Sequence, residues 1–189
     1  MKIFSKPEIK SLIIIFLVLF AVAVPNIIVS LQKSRDQIRR DDMGALEGAL
    51  SQYLADFETL PPSSPDGRIM NCLKSGDAPY KNAKGLWTFD PIPCEWGKDP
   101  FKNLITGRVY MTNLPGDPDY EKGAKYLYFS DGDRYQIFAA MTVKNQAEID
   151  PKIIARNLPC GNKICNIGRS YNVPIDISIE EYNKQLISN

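Results

Sequence analysis

The chain has 189 residues, 44% of them apolar and 24% charged, and a formal net charge of +1. That composition excludes wholesale disorder and collagen-like structure, and the near-neutral charge carries no overall electrostatic footprint for nucleic acid. Histidine is absent, which removes the commonest general base, every His-dependent nucleophile pair and every imidazole metal ligand. An enzyme is not expected.

Apolar residues gather at the N-terminus. Residues 12–29 read LIIIFLVLFAVAVPNIIV, eighteen positions without a formal charge. With Ile9 and Leu31 the run reaches the ~20 residues that a membrane-crossing helix needs. The competing reading is a cleaved secretory signal, with Ala21-Val22-Ala23 as its small-residue site. Ile27, Ile28, Val29 and Leu31 carry the apolar pattern past that point, which favours an uncleaved anchor. Lys2, Lys6 and Lys10 precede the run, and Lys33, Arg35, Arg39 and Arg40 follow it. The positive-inside rule therefore does not orient it. All four cysteines lie beyond the run, which predicts an extracytoplasmic, oxidising home for the rest of the chain.

Helical pattern continues past the apolar run. Ser5-Lys6-Pro7-Glu8 is a capping box with proline in the first turn. Ile38, Ala45, Ala49 and Tyr53, with Leu46, Leu50, Leu54 and Phe57 beside them, recur mostly at spacings of three and four. That is one apolar stripe of an amphipathic helix. Lys33, Arg35, Asp36, Arg39, Arg40, Asp41 and Asp42 read as its polar positions. Leu60-Pro61-Pro62 ends the pattern. The expectation is one helix over residues 7–57, ~75 Å long at 1.5 Å per residue, kinked or loosened at Pro25.

Three segments follow from this. Residues 1–31 are a short leader and a transmembrane half-helix, 32–60 an amphipathic half-helix, and 61–189 a loop-rich β head with a disulfide-bonded C-terminal extension. Residues 63–100, rich in Pro, Gly, Asn and Asp, read as loop. Residues 108–111, 126–129 and 135–141 read as strands, and Ser130-Asp131-Gly132-Asp133-Arg134 as the turn joining the last two. Beyond Met141 the pattern weakens until Ser178-x-x-Glu181 caps a short helix through Ile187. The fold class is α+β: a long N-terminal helix packed on a small antiparallel sheet.

Four cysteines allow three pairings. Cys72–Cys94 and Cys160–Cys165 are expected, because both are local and each closes a segment poor in apolar residues. The alternative, an all-thiolate zinc site, would need C-x4-C and C-x21-C spacings unlike the usual zinc ribbon. Trp87, Phe89 and Trp96 lie among Lys81, Lys84, Lys98 and Lys102, but dispersed acids favour a solvated face, and nucleic acid is not indicated.

Several stretches together resemble one family. Ala21-Val22-Ala23-Val24-Pro25-Asn26 is similar to the N-terminal helix of type IV pilins and of type II secretion pseudopilins. Counting back from Pro25, Phe4 and Glu8 fall where that family has its first mature phenylalanine and its helix glutamate. Residues 42–61 resemble its helix end, and Asp99-Pro100-Phe101 a loop of the major pseudopilin. Leu114-Pro115-Gly116-Asp117-Pro118, followed by the hairpin of residues 126–139, is similar to its β region. The resemblance spans residues 4–141. It implies a structural subunit, a homo-oligomer in a helical filament, held in the membrane before assembly. Phe4, Glu8 and Pro25 would be its assembly residues, with Glu8 either compensating a neighbour's positive N-terminus or acting as a helix cap. A prepilin peptidase and an assembly platform would be its partners. Calcium held by Asp117, Asp119, Asp131 and Asp133 is also implied, with turn aspartates as the alternative; no other cofactor or metal is expected. The competing function is a monomeric membrane-anchored module that captures DNA, a surface or secreted cargo.

Ile3 stands where the family has glycine, and Lys6-Pro7 where it has apolar residues. The N-terminus is therefore expected to be retained or processed inefficiently. Intact-mass measurement of the purified protein checks this: loss of Met1-Lys2-Ile3 with gain of one methyl group would reverse it.

Overall fold

The computed structural model describes residues 6–144 and 146–188; Phe4 lies outside them. The first element, α1 (Lys6–Phe57), is a single helix of 52 residues, about 78 Å long. It continues through Pro25 as the single element expected from the sequence. Proline removes one N–H from the ladder, and the next residue, Asn26, adds a bond from Nδ2 to the Val22 carbonyl at 3.1 Å. At the far end Glu58 adopts φ 59° and its N–H bonds the Leu54 carbonyl at 2.8 Å, a left-handed cap that hands the chain to Pro61-Pro62.

Only the second half of α1 is packed. Its buried face runs through Asp36, Arg39, Met43, Leu46, Leu50 and Tyr53, alternating spacings of three and four. Ile38 and Ala45, expected on this stripe, are exposed. The face rotates toward its N-terminal end because two ionic side chains, Asp36 and Arg39, occupy it there.

Short strands fill the region read as loop: β1 (Met70–Cys72), β2 (Tyr80–Lys81), β3 (Trp87–Thr88), β4 (Ile92–Pro93), β5 (Phe101–Lys102) and β6 (Val109–Met111). They pair antiparallel as β1 with β4, β2 with β3, and β5 with β6. A 3-10 turn at Tyr120–Lys122 leads to β7 (Leu127–Ser130) and β8 (Tyr135–Ala139). The tail supplies α2 (Pro151–Ala155), β9 (Pro159–Cys160), β10 (Lys163–Ile164), β11 (Ile167–Tyr171) and α3 (Ile179–Ser188). The main sheet has the order β11-β8-β7, all antiparallel.

Every residue of β8 is buried, because both faces of the sheet are covered. Tyr135, Ile137 and Ala139 share a core with Leu46, Leu50 and Tyr53 of α1 and with Phe101 and Tyr128. Phe138 faces the other way, into a smaller core with Leu127, Ile153, Cys160 and Cys165. Between them, Gln136 donates to the Pro174 and Ile177 carbonyls at 2.6 and 2.7 Å. The pairing of β11 with β8 requires glycine at position 168. A Cβ there would stand 2.9 Å from the Ile137 carbonyl oxygen and from Phe138.

Two disulfides, Cys72–Cys94 and Cys160–Cys165, staple the head, with Cα separations of 5.2 and 5.1 Å. No described cysteine is free. In the chain-entropy account a 22-residue closure contributes about 3 kcal/mol and a five-residue closure about 2 kcal/mol. The double variant Cys72→Ser/Cys94→Ser is expected to lose more chemical stability than Cys160→Ser/Cys165→Ser, measured by urea unfolding of the detergent-solubilised chain.

Candidate functional site

Two features of α1 stand apart from an ordinary core helix. The first is its bare half. Phe16, Leu17, Leu19, Phe20 and Val22 are each more than half exposed, and no part of the apolar window is buried against the head. Each such side chain left in water forfeits roughly 1.5–3 kcal/mol of burial. Where it is retained, a patch of this extent calls for cover by lipid or by protein. By length and composition the helix is able to cross a membrane, a test that a secretory signal also passes. Glu8 lies in its first turn and Pro25 within it, so 17 residues, or about 26 Å of axis, separate these two assembly candidates.

The second feature is an ionic cluster where the bare half ends. Arg39 is fully buried. Its Nε and Nη2 donate to the two carboxylate oxygens of Asp117 at 2.8 and 2.7 Å, a bidentate fork. Nη2 also donates to Asp119 at 2.9 Å, and Nη1 to Asp36 at 2.7 Å and to Thr142 Oγ1 at 3.4 Å. Asp36 also accepts from the Thr142 and Val143 N–H groups and from Gln146 Nε2, at 2.7 to 2.9 Å. The loop holds its shape because Asp117 accepts the Asp119 N–H at 2.8 Å, an Asx turn around Pro118. Three distant stretches thus meet at one guanidinium. A bond of Arg40 to Gln146 and an ion pair with Glu148 at 3.0 Å extend the cluster.

Titration follows from this geometry. Burial alone would raise the Asp119 carboxyl, but hydrogen bonds from Arg39 and Lys163 outweigh it and hold the group well below the usual range. Burial would depress Arg39, and Asp117, Asp119 and Asp36 together more than offset that, so it stays charged. Asp42 is pushed up by burial, opposed by a 2.6 Å hydrogen bond from the Tyr126 hydroxyl.

The four aspartates considered for calcium do not form one site. Asp117 and Asp119 surround Arg39, whereas Asp131 pairs with Arg134 and Asn183 in the turn whose Gly132 carbonyl bonds Leu60. Arg39 and the end of α1 at Phe57 are 18 residues apart, about 27 Å. Asp131 accepts the Asp133 and Arg134 N–H groups at 3.2 and 2.9 Å, so it is a turn aspartate. The cation between Asp117 and Asp119 is a guanidinium. Cys72, Cys94 and Asp99 also converge, but a disulfide holds both sulfurs. Trp96 is buried edge-on to Tyr126, and Trp87 is exposed under the Lys81 ammonium, so these tryptophans form no stacking platform together.

Residue type puts Arg39 and Asp36 among the polar positions of the helix, whereas the structure buries both. The available signal was periodicity: Asp36 and Arg39 precede Met43, Leu46 and Leu50 at spacings of three and four, on the apolar face itself. Comparison with protein-family models, curated proteins and solved structures finds no match to this chain.

Removing the guanidinium strands two or three carboxylates, so Arg39→Met is expected to cost about 3–5 kcal/mol. Acid should act on the same cluster. The depressed Asp119 contributes fully above the unfolded carboxylate range, near ~4, and its contribution is lost as pH falls below that. Asp42, held high, works in the opposite sense and regains stability on protonation. Urea midpoints of the solubilised chain should fall between about pH 4 and pH 2, and Asp119→Asn should flatten that fall. Asp42 acts above this window, between the unfolded carboxylate range and its own higher folded value, so a midpoint that stays level from about pH 4 to pH 2 would overturn the role given to Asp119.

Proposed function

We propose that this protein is a membrane-anchored, pilin-like structural subunit that polymerises through its N-terminal helix. One observation carries the reading: α1 is a single rod, packed on the head along one half and bare and apolar along the other. A rod of that kind has two ways to cover its bare half, lipid and the same half of neighbouring copies. Lipid serves before assembly and the neighbours serve in a filament. The bilayer penalises neither state strongly, so close, complementary helix contacts rather than greasiness select the filament. The two disulfides support an extracytoplasmic head. The resemblance of residues 4–141 to pilins and pseudopilins supports the same assignment.

The test is imaging and crosslinking of a sheared surface fraction. Fibres that contain this protein are the expected result. A chain found solely as a crosslink-free membrane monomer would instead favour the anchored binding module, and recovery of a head lacking residues 1–23 would identify a cleaved signal. Glu8→Ala is expected to reduce fibre yield at least several-fold while membrane insertion stays at the wild-type level. Equal yields would leave Glu8 with a capping role worth about 1 kcal/mol or less.

A further inference from the structure

We propose that the edge of the head beside the apolar half-helix is a binding surface for the phosphate groups of anionic lipids. The inference rests on the reading that α1 lies in a bilayer before assembly. Residues 12–31 give about 30 Å of helix, the thickness of the hydrocarbon layer. Headgroups add roughly 5–8 Å on each side, which is three to five further residues of helix. Arg35 follows Leu31 by four residues, about 6 Å. It therefore emerges at the depth of the lipid phosphates.

At that depth the head presents an excess of cations. Asp119, with its side chain 6% exposed, is shared by Arg35 at 2.9 Å, Arg39 at 2.9 Å, Lys163 at 3.1 Å and Lys122 at 3.3 Å. Asp36 and Asp117 neutralise Arg39 from its other sides. Four cations thus meet three carboxylates, and the carboxylates are buried while the outer cations are not. Arg35 is 39% exposed, Lys163 28% and Lys122 67%. Each ammonium or guanidinium has one flank on Asp119 and another toward solvent, with donors left for an external anion. Glu121, exposed in the same turn, opposes them. Glu148 is already paired with Arg40. A phosphate is the anion found in quantity at this depth, and a basic residue next to a membrane attracts anionic lipid measurably.

The full chain, reconstituted in phosphatidylcholine vesicles, tests this with spin-labelled phosphatidylglycerol and spin-labelled phosphatidylcholine as probes. The expected result is a several-fold preference of the protein-contacting lipid shell for phosphatidylglycerol. In Arg35→Gln/Lys122→Gln that preference should fall by about two-fold or more, toward no preference, and salt should weaken it in the wild type. Lys122→Glu alone, at the most exposed of the four, should produce a fall without disturbing Arg39. Unchanged selectivity in both variants would overturn the proposal. So would unchanged selectivity together with loss of a crosslinked dimer, which would assign the cations to an acidic segment of a second copy. Flotation separates the premise: a chain that does not float with the vesicles defeats the anchor and the proposal together. A chain that floats without headgroup selectivity defeats the lipid contact alone, and fibre formation is independent of both outcomes.

Discussion

A guanidinium withdrawn from water must have its donors met, and Arg39 imposes that condition on the rest of the head. Its partners come from α1 itself, from the loop at 117–119 and from the strand exit at Thr142. None of these stretches forms the ionic arrangement without the other two. Apolar contact along Met43, Leu46, Leu50 and Tyr53 supplies the area, yet a greasy stripe tolerates sliding and rotation. Directed bonds to Asp117, Asp119 and Asp36 do not. Buried ion pairs contribute little net stability once desolvation is counted. What this cluster adds is a defined seat for the head along α1, at the turn of helix where the apolar half ends.

On the proposed anchoring, that seat gives the rod two solvents. From Ser11 to Leu31 every face of α1 is apolar or neutral; from Asp36 one face belongs to the head. The handover takes about one turn of helix. Had the head docked lower, its polar loops would enter the hydrocarbon layer, where unmet backbone groups cost several kcal/mol each. Had it docked higher, apolar turns would stand in water. Ionic groups suit neither a bilayer core nor the apolar centre of the head, and they stand where the bare apolar half of α1 gives way to the packed half.

The helix was legible in the sequence because its signals are local: a capping box, an uninterrupted apolar run, a stripe at spacings of three and four, and a double proline. The hairpin of β7 and β8 was legible for the same reason, through its Asp-Gly turn. The third strand, β11, was not. Ile167-Gly168-Arg169-Ser170-Tyr171 has one buried apolar residue, and its place follows from pairing with β8, a long-range contact. Small ladders such as β1–β4 escaped for a similar reason, since a two- or three-residue strand has no periodicity to detect. Within the site, Glu8 and Pro25 stood out through resemblance to a family motif. Arg39 did not, because its charge points to solvent while its position at a spacing of four before Met43 points to the core.

The tail after Met141 follows from the geometry of the sheet. One helix covers one face of a three-stranded sheet and leaves the other face wet. Strand β8 carries Phe138 on that second face and the fully buried Ala140 follows it there, residues that need cover as much as Ile137 does on the first. Helix α2 and the β9–β10 hairpin provide it through Ile153, Cys160 and Cys165. The two disulfides then divide the work: Cys94 sits in the core that faces α1, and Cys160 and Cys165 in the core behind the sheet. Each bridge reinforces a layer made mainly of loop and two-residue strands, where backbone ladders alone hold little. Among the described residues the strands fall into five small sheets, and the covalent links lie where this regular structure is thinnest.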